Sequence, residues 1–213
     1  MTDSNYTALL IVLDRSGSMS SIRDDMVGGL EEMLRTHAAE PGLLTVDVVT
    51  FDDKIEATHH FANPRDVAIE LVPRGSTALH DAMGYAINGF AAQLAALPAH
   101  AQPANVQVIV VTDGYENAST EYAADTVRQL VVKQTERFNW DFVFLGADQD
   151  AVLTAGNLGI ASGKAMTYAR GSNNVESMNL TLASKLRSTR AGRRDDMFTA
   201  EERDAATRPD DGH

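Results

Sequence analysis

The sequence predicts an α/β domain, a doubly wound and mostly parallel sheet with one antiparallel edge strand and helices on both faces. Three observations carry that prediction. Strand-like and helix-like segments alternate along the chain, the mark of parallel strands joined by crossover helices. The strand-like runs are apolar almost throughout, as strands covered on both faces are. At one point, Asp52-Asp53, the chain reads instead as a tight turn between two strands, which makes a hairpin and an antiparallel edge.

Taken in order, residues 7–13 (TALLIVL) form the first buried strand. Ser20 or Ser21 is placed to cap a helix over 22–37, with Met26, Leu30, Met33 and Leu34 at helical spacing. Residues 43–51 (LLTVDVVTF) and 54–61 are the two strands of the hairpin. The alanine-rich stretch 78–97 is a helix that stops before Pro98. Residues 106–112 (VQVIVVT) form the fourth strand, 119–138 a helix, and 140–145 (WDFVFL) the fifth strand. A short helix over 150–158 ends at Gly159, a last strand covers 164–169, and a final helix spans 174–190. Residues 1–190 are thus expected to make the domain, and 191–213, charged and poor in apolar groups, a mobile tail. Within that tail Phe198 is positioned to dock, and Thr199 with Glu202 to form a capping box.

Composition narrows the function. With 213 residues, 44% hydrophobic and 23% charged, the chain can bury a core without staples. It has no cysteine, which removes disulfides, thiolate metal sites and cysteine nucleophiles. A net charge of −12 repels a phosphate backbone, so nucleic acid is not an expected partner. No apolar run reaches the ~20 residues that span a bilayer, and the N-terminus lacks a secretory pattern, so the expectation is a cytoplasmic protein without a membrane partner. The Asn-x-Ser/Thr triplets at Asn5, Asn117 and Asn179 carry no meaning without a secretory route.

Open parallel sheets bind ligands outside the carboxyl ends of their strands. After the first strand, residues 9–20 (LLIVLDRSGSMS) pass from an apolar run into Asp14, Ser16 and Ser18. Thr112-Asp113-Gly114 follows the fourth strand, and Gly75-Ser76-Thr77 precedes the alanine-rich helix. Two carboxylates, Asp14 and Asp113, and three hydroxyls, from Ser16, Ser18 and Thr77, would converge there. All are hard oxygen donors, which favours Mg²⁺, Mn²⁺ or Ca²⁺. Hydroxyl ligands are neutral, so an ion held this way stays electron-poor and would accept one more carboxylate from outside. The competing explanations are structural: a turn and helix cap for Ser16, Gly17 and Ser18, a plain turn for Asp113-Gly114, and a helix N-cap for Thr77, which is compatible with metal binding.

This set resembles the von Willebrand factor A (vWA) domain and its metal-ion-dependent adhesion site. The family pattern Asp-x-Ser-x-Ser, then Thr, then Asp is matched by Asp14, Ser16 and Ser18 in DRSGS, by Thr77 in GSTALHDA and by Asp113 in TDGYEN. The likeness covers about residues 6–185 and extends to small standalone bacterial and phage versions, with FVFLGADQDA and FTAEER as weaker signals. It implies a Rossmann-like sheet with one antiparallel edge strand, and a metal-dependent protein-binding module whose partner offers an Asp or Glu carboxylate. It selects no partner, and oligomeric state is left open.

Neighbouring residues read more plainly. His80 is taken as structural, Asp81 as a first-turn acid favoured by the helix dipole, Glu116 as a solvated loop residue, and Asp148 as a helix cap or a group behind the site. His59-His60 is taken as exposed, and Arg187, Arg190, Arg193 and Arg194 as a solvated helix end. The alternative function is a Mg²⁺-dependent phosphohydrolase or phosphotransferase with Asp14 as nucleophile. Against it, position 16 is serine where haloacid-dehalogenase-like enzymes need the second aspartate, and no GxxxxGK[ST] phosphate loop is present. No catalytic residue is therefore assigned.

Overall fold

The computed structural model describes residues 2–147 and 150–208. Six strands form one sheet: β1 (Asp3–Asp14), β2 (Leu43–Phe51), β3 (Ile55–Ala62), β4 (Pro103–Thr112), β5 (Asp141–Ala147) and β6 (Ala165–Tyr168). Their spatial order is β3-β2-β1-β4-β5-β6. All neighbours pair in parallel except β2 and β3, which form the hairpin at the edge. The winding reverses between β1 and β4, so the carboxyl ends of these two strands flank the crevice where such sheets take ligands.

Residues of β1 alternate between two cores, as period-2 geometry requires. Leu9, Ile11 and Leu13 face one core with α1 (Arg23–His37) and α5 (Ser172–Arg190). Ala8, Leu10 and Val12 face the other, with α2 (Leu79–Ala96), α3 (Ala124–Phe138) and α4 (Ala151–Asn157). No helix among the described residues is long and apolar enough to cross a membrane.

Element boundaries depart from expectation where polar groups intervene. Neither Ser20 nor Ser21 caps α1. A 3-10 turn over Gly17–Ser21 precedes it, Ser20 donates back to the Gly17 carbonyl, and the cap position is Ile22. Helix α3 starts at Ala124 rather than near 119, because Asp81 binds the N–H groups of Thr120, Glu121 and Tyr122 and draws that segment towards α2. Asn139, at φ 56°, ends α3 in the left-handed conformation.

Beyond α5 the chain continues against the domain up to the last described residue. Thr199 and Glu202 form the expected capping box, which starts α6 (Ala200–Thr207). Phe198 is 6% exposed and lies between the Lys185 ammonium and the Arg203 guanidinium, 5.5 and 5.7 Å from its ring centre. The basic run is spent on local bonds. Arg187 pairs with Glu40, Arg190 donates to the carbonyls of His37 and Pro41, Arg193 to the Ser188 hydroxyl, and Arg194 to the Ala104 carbonyl. Arg187 and Arg193 are exposed, as expected of a solvated helix end, whereas Arg190 and Arg194 are half-buried and hold neighbouring carbonyls.

Candidate metal centre

Strand β1 delivers Asp14 to the crevice and then turns sharply. The Asp14 carboxylate accepts the Ser16 N–H through Oδ1 and the Thr112 hydroxyl through Oδ2, both at 2.6 Å. Asp14 is fully buried and does not border the open cavity above it. Burial pushes its carboxyl above the ordinary carboxylate range; the bonds from Thr112 and Ser16 oppose that rise, and the charge of Asp113 adds to it.

Ser16, Ser18, Thr77 and Asp113 border a cavity of about 360 Å³ at the ends of β1 and β4. The Ser16 and Ser18 hydroxyls are 2.9 Å apart, and Ser18 donates to Asp113 Oδ1. Gly114 is tightly enclosed: a Cβ there would stand 2.5 Å from the Thr77 hydroxyl and 3.4 Å from that of Ser16. Four of the five sequence-predicted ligands therefore border one space, and the fifth, Asp14, lies behind it.

Thr77 is not a helix cap. Position Ala78 precedes α2, no side chain caps it, and the Thr77 N–H instead donates to Asn117 Oδ1 at 3.0 Å. Asn117 donates its own N–H to the Thr77 carbonyl, so the loop after β4 holds the Thr77 loop in place by two bonds. On the other side, Arg15 and Arg74 both donate to Asp52 Oδ2, at 3.1 and 2.7 Å, and the Asp52 carbonyl accepts from Ala78. Burial alone would raise the Asp52 carboxyl; the donors Arg74, Lys54 N–H and Arg15 outweigh it and hold it below the ordinary value.

One expectation is corrected here and another extended. Glu116 is not a solvated loop residue: it accepts from the N–H groups of His80, Ala118 and Ser119 and from the Ser119 hydroxyl. Asp81 does more than face a helix dipole, since its carboxylate gathers three backbone donors from 120–122. His80 does not border the cavity; its ring lies 3.8 Å from Glu116. His60 is exposed as expected and meets Asp47. Asp148 lies outside the described residues; the cap of α4 is Asp150, which accepts from Leu153.

Sequence reasoning missed Arg170. It follows β6, borders the cavity, and places its guanidinium 3.3 Å from the Asp113 carbonyl and 3.6 Å from Asp113 Oδ2. Its position depends on strand order, which no local pattern announces.

Comparison of the whole fold with solved structures gives a consistent answer. The vWF domain of the type V pilus tip protein Mfa5 from Porphyromonas gingivalis aligns with 91% of this chain and 98% of its own, at a TM-score of 0.60 and 12% identity. A von Willebrand factor type A protein from Catenulispora acidiphila aligns with 84% of this chain at TM-score 0.57 and 14% identity. The protein has the von Willebrand factor A fold. Proximal thread matrix protein 1 from the mussel byssus, in a structure described as having a zinc-occupied MIDAS motif, shares the vWA fold over 86% of this chain at TM-score 0.61 and 16% identity. The chain spans about half the length of the byssus and Catenulispora structures, 46% and 42% respectively. No family model and no curated protein matches the sequence.

The donor set fits a hard divalent cation. It comprises two carboxylates, three hydroxyls and no nitrogen or sulfur group, and Gly114 leaves the space beside the Thr77 and Ser16 hydroxyls that a Cβ would crowd. Among the described residues no cluster of three or more His, Cys, Asp or Glu side chains could hold a metal. Such a centre would thus depend on hydroxyls, which leaves it low in negative charge.

Proposed function

We propose that this vWA domain is a metal-dependent protein-binding module. Ser16, Ser18, Thr77 and Asp113 would hold Mg²⁺, Mn²⁺ or Ca²⁺, with Asp14 acting from behind the cavity. The ion, when bound, supplies a Lewis-acid position for an Asp or Glu carboxylate of a partner protein. The observation that carries this reading is the convergence of three hydroxyls and one carboxylate on an open cavity at the switch point of the sheet. Around it the chain does the positioning. Asn117 fixes the Thr77 loop, the Asp52 clamp fixes Arg15 and Arg74, and Thr112 orients Asp14.

The phosphotransfer alternative has less support. Both oxygens of Asp14 accept hydrogen bonds, and the side chain does not reach the cavity, whereas a nucleophile must meet its substrate. The test is thermal unfolding and calorimetry with Mg²⁺ and Mn²⁺ on wild type and Asp14→Ala. An ion that binds only the folded state raises the midpoint once its concentration passes the dissociation constant. The expected result is a metal-dependent rise in wild type that the variant lacks. Equal curves for both proteins would overturn the reading.

A further inference from the structure

Among the described residues that border the cavity, Arg170 is the single basic side chain and Asp113 the single acidic one. The chain as a whole is strongly acidic, with a net charge of −12. A cation at this point is therefore a local feature, not part of a basic surface. It is also firmly placed. The Ala169 N–H donates to the Ala206 carbonyl in α6, and Asn174 donates to the carbonyls of Ala205 and Arg208, so the β6–α5 connection is pinned from both ends. The guanidinium then sits against Asp113 at 3.3 and 3.6 Å with about a third of its side chain exposed.

The geometry points to Arg170 as the counter-cation and specificity-determining residue of the centre: it neutralises Asp113 before metal binds, and pairs with the captured carboxylate of the partner afterwards. This inference rests on the metal-binding reading above. Its physical basis is competition between like charges. A guanidinium and a divalent cation both draw on Asp113, so Arg170 must weaken the binding of metal alone. A carboxylate arriving at the metal brings a second oxygen, and a planar guanidinium is the side chain best suited to receive it. Arg170 thus opposes the empty metal site and favours the occupied complex, which makes metal and acidic ligand bind together rather than in turn.

Calorimetric titration of Mn²⁺ into wild type, Arg170→Gln, Arg170→Lys and Asp14→Ala, each with and without excess acetate as the carboxylate probe, tests this. Unfolding midpoints confirm that every variant is folded. Without acetate, Arg170→Gln is expected to bind Mn²⁺ roughly 3- to 30-fold more tightly than wild type, the gain shrinking as salt rises. Acetate is expected to tighten Mn²⁺ binding in wild type, less so in Arg170→Gln, and intermediately in Arg170→Lys, which keeps the charge but loses the planar fork. A merely structural role would not move metal and acetate effects in opposite directions. If Asp14→Ala abolishes binding while Arg170→Gln matches wild type in both titrations, the Arg170 proposal is overturned and the metal centre stands. If wild type and Asp14→Ala respond alike, the metal reading itself fails, and this inference with it.

Discussion

Two groups of carboxylates stand at the same end of the sheet and behave in opposite ways. Asp81 and Glu116 are saturated by the chain itself, with backbone donors converging on each from the loop after β4. Burial would raise the Glu116 carboxyl, but the donors from Ser119 and His80 outweigh it and the net shift is downward. Asp14 takes its bonds from Ser16 and Thr112, faces the charge of Asp113, and is shifted upward by burial. The first pair holds a loop. The second is a stored electrostatic cost that an added cation would relieve. Asp14 is fully buried beside another acid and Glu116 is about a fifth exposed, so burial, neighbouring charge and the number and kind of donors together separate the two groups.

The largest effect that tests this contrast is Asp81→Ala. Three backbone donors lose their acceptor, and the expected loss is ~3 kcal/mol, or about 6–12 °C in midpoint. A loss as small as that of an exposed surface substitution would remove Asp81 from the group of loop holders. Gly114→Ala comes next, because it strikes beside the hydroxyls of the cavity. The new methyl group would press on the Thr77 hydroxyl at 2.5 Å. We expect a cost of about 1–3 kcal/mol together with weakened Mn²⁺ binding, measured by melting and calorimetry on the same sample.

Asp14→Asn should show the opposite sign. The amide can still accept from Ser16 and can donate to Thr112, whose hydroxyl can turn to the Gly114 carbonyl. In EDTA the variant is expected to equal wild type or exceed it by up to about 1 kcal/mol, since a buried charge is removed. Its midpoint should not respond to Mg²⁺. Destabilisation in EDTA comparable to Asp81→Ala would erase the distinction between the two groups.

The smallest effect is in pH. Asp14 is raised in the folded state, so the unfolded chain releases this proton more readily, and the ionised side chain counts against folding above its folded value. The advantage of Asp14→Asn over wild type should therefore be greatest near neutral pH and shrink as pH falls through the folded pKa of Asp14. Glu116 is lowered, so its contribution is present above its ordinary value of 4.5 and is lost as pH falls below it. The penalty of Glu116→Gln should accordingly shrink only at more acid pH. Denaturant midpoints between neutral and acid pH in EDTA would show whether the two differences move in the same direction.

Much of this was legible beforehand, and unevenly. The five proposed ligands were visible because each sits within a few residues of a strand end or helix start, where local pattern marks position. The competing explanation for Thr77 could not be dismissed from sequence, since a hydroxyl before a helix is the usual cap; the structure dismisses it because the cap position falls on Ala78 and no side chain caps the helix. Glu116 was misread, and for Asp81, which does stand in the first turn of α2, the added role of holding a loop was missed. Asp81 finds its donors at 120–122, and Glu116 finds one at His80 and the rest at 118–119, whereas a lone acid in a first turn or a loop looks solvated in sequence. Helix α3 was extended too far towards its start because 119–122 carries no helix-breaking residue; what holds it is Asp81, from α2.

The sequence by itself determined the strand and helix order, the antiparallel edge, the absence of thiol chemistry and the hydroxyl-rich donor set. These follow from residue type and short-range periodicity, which act within a turn or a strand. Only the tertiary structure decided which carboxylates are saturated, that Asp14 lies behind the cavity, and that Arg170 stands beside Asp113. These depend on β6 being carried to its place two strands beyond β4, and on loops meeting across the end of the sheet. Hydrogen bonds and charges act over a few ångströms in space whatever the separation along the chain, so their pairing becomes readable only once the chain is folded.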